Sequence, residues 1–238
     1  TSIAATALWV QAGSNEESQI RQRLTQAVPK AEILSVTASP IAGVYAVELE
    51  GGTLYASADG QYLIQGEMLQ IKGKEIVNIT DQAKSKQRLA LLKSIDKRDE
   101  IIFPAKGKAK AVITVFTDVD CGYCRKLHAE VPAMNAKGIE VRYLAYPRDL
   151  PRVGANAGTG ARMTEVWCNA NRAQALTLAK QGRPVPAGTA DCKAPIAEQF
   201  VLGRKMGVTG TPAIYNEKGE QLGGYITADR AATLLGLN

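Results

Sequence analysis

Histidine is nearly absent: His128 is the only one in 238 residues. A structural zinc site wants four ligands, usually from a second cysteine pair or a paired histidine, and this chain offers no pair of imidazoles. Aromatic residues are scarce too, at 5%, which predicts a mainly aliphatic core. No apolar run reaches the roughly 18 residues of a membrane-spanning helix. Charge of one sign is not concentrated either. Lys and Arg number 29 against 23 Asp and Glu, a net +6, but no basic run is interleaved with aromatics as single-strand binding requires. The densest groups are Lys106, Lys108 and Lys110 in an expected loop, and Lys84, Lys86 and Arg88 on an expected helix. Both read as solvated surface, so no nucleic-acid partner is expected.

What is present is an ordinary globular composition, 45% hydrophobic and 22% charged, in a length suited to one large or two small domains. The first residues, TSIAATALWVQA, are small and apolar, and Val10-Gln11-Ala12 has the small-x-small form of a cleavage site. Residues 1–13 are therefore expected to be a signal-peptide remnant, the alternative being an apolar N-terminal arm. Export would put the four cysteines where disulfides persist.

Ser14-Asn15-Glu16-Glu17 has capping-box spacing, and Ile20, Leu24, Ala27 and Val28 continue with helical periodicity to Pro29. Three β runs are expected next, over 44–50, 53–57 and 62–71. Gly51-Gly52 and Asp59-Gly60 supply the tight turns between them. A helix plus an antiparallel meander over 14–79 makes a thin sheet with an open edge, which favours pairing with a second copy. Residues 80–100 read as a polar connector helix, with Ala83, Leu89, Leu92 and Ile95 as a narrow apolar stripe. From 101 to 238 the order is strand 111–117, helix from Cys121, strand 139–146, a helical stretch, strands 213–216 and 221–225, and a last helix to Leu235. The first three form a βαβ unit with parallel strands. Gly154, Gly158 and Gly160 lack a strand-to-helix phosphate context and read as loop flexibility.

Cys121 and Cys124 stand where a buried-type strand gives way to a helix. Exposed backbone N–H groups and the positive end of the dipole there favour thiolate over thiol. Cys121 is thus expected to be an accessible nucleophile, and Cys124, one turn on, its buried partner. A metal site is the chemical competitor, since Cys121, Cys124 and His128 form C-x₂-C-x₃-H, with Asp118 or Asp120 as the nearest fourth ligand. A purely structural bridge is the other. The strand-to-helix position favours a redox pair, no metal or cofactor being expected, and leaves His128 as a helix-flank residue. Cys168 and Cys192 lack that context. Closing their loop restrains the unfolded chain by roughly 3 to 4 kcal/mol, against roughly 2 for the short pair, which suits a structural disulfide. A second exchange site or two free thiols are the rivals. Thr211-Pro212 precedes a short apolar strand. In a thioredoxin-like fold this proline is cis and faces the redox cysteines, exposing the preceding backbone to an extended substrate. Gly122, Tyr123, Thr211 and Pro212 are the residues expected to meet substrate.

These stretches, with Ile41-AGVYAV-47 and Leu54-YASADGQYLIQG-66, resemble the DsbC family of bacterial periplasmic disulfide isomerases over nearly all of 15–238. Gly122-Tyr123 and the threonine before Pro212 are closer to DsbC than to the DsbA oxidases, which typically carry Pro-His and valine there, or to DsbG, which usually carries Pro-Tyr. The apolar start and the glycine-containing loop over 151–160 depart from the pattern. The resemblance implies an α+β dimerisation domain, a connector helix and an α/β thioredoxin-like domain with a helical insertion. It implies a V-shaped homodimer joined near Gln61, Tyr62, Leu63, Ile64, Gln65 and Gly66, with chaperone activity. It also implies a DsbD-type membrane reductase as partner, misfolded disulfide-containing exported proteins as substrates, and a periplasmic location in a Gram-negative bacterium. The alternatives are a DsbG-like reductase of sulfenylated cysteines and a non-catalytic dimeric chaperone.

Overall fold

Residues 5–49, 52–189 and 191–237 are described by the structure, a computed structural model. The chain divides into two compact units between Thr80 and Asp81.

In the first unit, helix α1 (Ala5–Ala27) is followed by strands β1 (Ile33–Ala38), β2 (Val44–Leu49), β3 (Gly52–Ser57) and β4 (Leu63–Gln65), then by the hairpin β5 (Leu69–Lys72) and β6 (Glu75–Asn78). Strands β1 to β4 form an antiparallel sheet in chain order. Ile20 and Leu24, one helical turn apart, pack against Val36, Val47 and Ala56 of the sheet. At Gly60 (φ +66°) an added Cβ would lie 3.2 Å from the Ile20 backbone, so this turn needs glycine. Asp59 fixes it further, accepting from the Ser57 hydroxyl at 2.5 Å and the Gln61 amide at 3.0 Å.

Several expectations change here. Helix α1 begins at Ala5, upstream of the expected start at Ser14, and Glu17 pairs with Arg21 one turn on. Strand β1 escaped the sequence pattern because its six residues, ILSVTA, bury only Val36. The expected run 62–71 is split by Gly66, whose φ of +155° breaks the strand. Residues 1–4 of the expected signal remnant, together with Glu50 and Gly51, fall outside the described residues. Among the described residues no helix is long and apolar enough to cross a membrane.

The second unit opens with most of α2 (Ile79–Lys93), then has β7 (Ile101–Phe103), β8 (Ala111–Thr117), α3 (Gly122–Ala136), β9 (Ile139–Ala145), α4 (Leu150–Val153), α5 (Gly158–Trp167), α6 (Arg172–Lys180), α7 (Ile196–Lys205), β10 (Ala213–Asn216), β11 (Gln221–Gly223) and α8 (Ala228–Leu234). Its sheet has the order β11-β10-β8-β9-β7, with β8 and β9 parallel and the other pairs antiparallel. Strand side chains alternate between the two faces. Ile113, Val115, Val141, Tyr143 and Ile214 enter the core shared with Leu127 and Met134 of α3 and Trp167 of α5. Phe116, Leu144, Ala213 and Tyr215 enter a second core with Phe200 and Met206.

That second core also takes Leu91, Leu92 and Ile95, so the far end of α2 is packed, where a solvated connector was expected. Ala83 is exposed and does not join an apolar stripe. Arg88, expected on a solvated basic face, is 5% exposed. It donates to the Met206 carbonyl at 3.0 Å and pairs with Asp81 at 2.6 Å. Two of the glycines of the 151–160 stretch, Gly158 and Gly160, also have a packing role. A Cβ on Gly160 would sit 2.5 Å from the Ala155 carbonyl, and Gly158 has φ +55° with Asp149 against it. Cys168, at the end of α5, is bonded to Cys192 with 5.6 Å between Cα atoms.

Candidate active site

The end of β8 delivers Asp118 to Cys121 into the space where α3 begins. Cys121 is the N-cap residue, with extended backbone (φ −77°, ψ 121°) and no side-chain cap bond of its own. Its sulfur therefore stands at the positive end of a 15-residue helix. Cys124 is one turn inside. Both are free thiols. Their exposures, 3% and 1%, correct the expectation of an accessible nucleophile: the Cys121 sulfur is covered by the loop before β10.

That loop contains the cis Thr211–Pro212 bond. The Cys121 thiol donates to the Thr211 carbonyl at 3.1 Å. The Thr211 hydroxyl is buried and has no hydrogen-bond partner among the described residues. Burial alone pushes the Cys121 thiol up, but Thr211, the Cys124 backbone N–H and side chain, and the Arg148 charge outweigh it and hold the thiol below its ordinary value. For Cys124 burial dominates and raises the pKa, against the opposing charge of Lys180 and a hydrogen bond from Thr117. One thiol is primed to ionise and its neighbour is held back.

Beside the pair runs an open groove of about 500 Å³, whose lining includes Tyr123, Gly210, Thr211, Pro212, Gly224 and Tyr225. Tyr123 is 60% exposed, with the Tyr225 ring 6.4 Å away and the Lys126 ammonium 5.4 Å from its centroid. The structure thus brings Cys121, Cys124, Tyr123, Thr211 and Pro212 together. Gly122, the first residue of α3, has open space where a Cβ would stand. Cys168 and Cys192 form their own bond elsewhere in the unit.

Beneath the cysteines lies a charged layer that sequence reasoning did not assign. Asp118, 1% exposed, accepts from the Arg148 amide at 3.0 Å and its Nε at 2.9 Å, and from the Asp120 amide at 2.8 Å. Asp120 bonds Thr159 at 2.7 Å and pairs with Arg162. Lys180 is 4% exposed. Its sequence signal was available: it follows Leu176 at i+4, on the buried face of α6.

His128 is corrected from a helix-flank residue to a buried one. Its Nδ1 lies 3.1 Å from the Tyr143 hydroxyl and its Nε2 3.0 Å from Thr177 Oγ1, with the Phe103 ring edge-on at 5.1 Å. Burial and then the Lys180 charge push it down to about 4. Both ring nitrogens are engaged away from the cysteines, and among the described residues no three His, Cys, Asp or Glu side chains are grouped to hold a metal.

Comparison with known proteins matches residues 98–237 to a thioredoxin-like domain and 11–81 to a disulfide bond isomerase protein N-terminal domain. The thiol:disulfide interchange protein DsbC of Dickeya dadantii is 40% identical over 211 residues, 88% of this chain and 82% of its own. The chain belongs to the DsbC family. DsbC of Escherichia coli K12 is 36% identical over 225 residues, covering 94% of this chain and 88% of the relative. Among solved structures, a disulfide interchange protein from Neisseria gonorrhoeae superposes with a TM-score of 0.51 at 25% identity, over 60% of this chain and 98% of that one. Membership joins the two units under one description, a DsbC-type N-terminal domain followed by a thioredoxin-like domain.

The residues expected at a dimer interface lie in the first unit. Strand β4 is an edge of its sheet, hydrogen-bonded to β3 alone among the described residues. Tyr62, Leu63 and Ile64 are 69%, 48% and 59% exposed.

Proposed function

We propose that this protein is a thiol:disulfide isomerase in which Cys121 attacks incorrect disulfides of exported proteins. The observation that carries the reading is the placement of the Cys121 sulfur: at a helix N-terminus, 3.1 Å from the Thr211 carbonyl, beside an open groove. The thiolate attacks one sulfur of a wrong disulfide, forming a mixed disulfide and releasing a substrate thiolate. Extended substrate lies along Gly122, Tyr123, Thr211 and Pro212. Another substrate thiol then displaces Cys121 with a new pairing, or Cys124 displaces the substrate in reduced form.

The raised pKa of Cys124 supports reshuffling over simple reduction, because a protonated neighbour leaves the mixed disulfide time to be resolved by the substrate. The unpaired edge of β4, with exposed Tyr62, Leu63 and Ile64, supports homodimer formation through Gln61 to Gly66. Two facing sites in such a dimer would also hold unfolded chains, giving chaperone activity. The location is the periplasm, where disulfides persist and a DsbD-type membrane reductase would keep Cys121 and Cys124 reduced.

Reactivation of scrambled ribonuclease by the intact protein, by Cys121→Ser and by a fragment beginning near residue 100 tests this reading. Activity should vanish in the substitution and fall in the fragment. Undiminished activity in Cys121→Ser would sink the proposal.

A further inference from the structure

Lys180 is a buried cation without a carboxylate. Its ammonium donates to Thr117 Oγ1 at 2.6 Å and to the Asp118 carbonyl at 2.9 Å, and among the described residues it forms no ion pair. The Asp118 carboxylate is already taken by Arg148 and the Asp120 amide. A buried charge is costly unless compensated, and the dithiol form supplies no anion. The reaction does. When Cys124 ionises, a negative charge appears next to Thr117, whose hydroxyl accepts from Lys180 and keeps its own proton free to donate to that sulfur.

We infer that Lys180, acting through the Thr117 hydroxyl, is the positioning residue that stabilises the Cys124 thiolate and so sets how fast the mixed disulfide on Cys121 is resolved from within. The inference rests on Cys121 and Cys124 being the exchanging pair. In the step concerned, the Cys124 sulfur attacks the Cys121 sulfur of the mixed disulfide. The Cys121–substrate S–S bond breaks as the Cys121–Cys124 bond forms, and the proton lost by Cys124 ends on the departing substrate thiol. The substrate is reduced and the enzyme pair oxidised, to be returned to the dithiol by exchange with an external dithiol. A charge already in place, and held without an ion pair until the thiolate forms, stabilises the reacting state more than the resting one.

The titratable and charged groups that act on this charge come from the elements packed against it: Cys121, Cys124, Arg125 and His128 from α3 and its cap, and Asp118 after β8. Burial pushes Lys180 down to about 8, with Arg125 acting the same way and Cys124, Asp118 and Cys121 opposing. The lysine therefore carries its charge at neutral pH and loses it in mildly alkaline solution.

An aromatic disulfide that releases a coloured thiolate tests the inference in two phases. The first release reports attack by Cys121, and the second reports attack by Cys124 on the resulting mixed disulfide. Lys180→Met and Lys180→Gln should slow the second phase about tenfold at neutral pH, one pKa unit in Cys124, with the first changed less than twofold. In a Cys121→Ser background, the ultraviolet thiolate absorbance of Cys124 should titrate at higher pH in both variants. Thr117→Val should slow the second phase and Thr117→Ser restore it; that pair decides the matter if the Lys180 variants do not fold. A second phase unchanged in folded Lys180 variants, or equally fast in Thr117→Val and Thr117→Ser, overturns the role of Lys180. Absence of the first phase in the unsubstituted protein would instead overturn the exchange reading itself.

Discussion

The sulfur of Cys121 and the carbonyl of Thr211 lie 3.1 Å apart, although 90 residues separate them in the chain. The contact joins the start of α3 to the loop before β10, so Cys121 and the Thr211 backbone are held beside the ends of two neighbouring strands, β8 and β10. The same threonine presents a buried hydroxyl without a partner. Thr211→Val keeps the shape and removes that hydroxyl. The Cys121 thiol should rise toward its ordinary value, and alkylation at neutral pH should slow by about three- to tenfold. An unchanged pH profile of alkylation would show that the hydroxyl does not act on the thiolate.

His128 carries a pH-dependent part of the stability. It is pushed down to about 4 from an ordinary 6.5, so between those values the unfolded chain binds a proton that the folded protein excludes. Stability is then full above pH 6.5 and falls as the pH drops toward 4, by an amount of about 3 kcal/mol. His128→Gln, which retains polar groups toward Tyr143 and Thr177, should lack this part of the acid dependence. Urea unfolding across the range checks it; parallel curves for the two proteins would contradict the assignment.

The Cys168–Cys192 bond closes a loop with a sequence separation of 24. Replacing both cysteines by alanine should lower unfolding free energy by roughly 3 to 4 kcal/mol, mainly by freeing the unfolded chain. Exchange by Cys121 should persist in the folded fraction. A loss of coloured-thiolate release from fully folded material would point to the rival reading, a second exchange site.

The exposed edge of β4 gives a test of the pairing surface. Ile64 is 59% exposed, so Ile64→Asp leaves the core of the first unit undisturbed while placing a charge on the edge. Sedimentation should show a dimer for the unsubstituted chain and a monomer for the variant, with reactivation of scrambled ribonuclease reduced and simple thiol release retained. A dimeric variant would place the interface elsewhere.

Local signals were enough for much of the second unit. The alternation and turn residues around β8, α3, β9 and β10 are consistent within each segment, so the βαβ unit and the position of Cys121 at a helix start were readable from spacing. The pairing of Cys168 with Cys192 was suggested by loop length and the absence of a nucleophile context. Strands β1 and β7 were not legible, because short strands with few buried side chains carry almost no period.

Charge was where sequence reading failed, and the reason is physical. Arg88, His128 and Lys180 are polar residues that look solvated by composition, yet each is buried because a partner arrives from far along the chain: the Met206 carbonyl, the Tyr143 and Thr177 hydroxyls, and the Thr117 hydroxyl. The sequence by itself determined which cysteine stands at the helix start and which is one turn inside. Only the tertiary structure decided which charges lie beneath them, since desolvation and hydrogen bonding at a site depend on neighbours that no local pattern encodes.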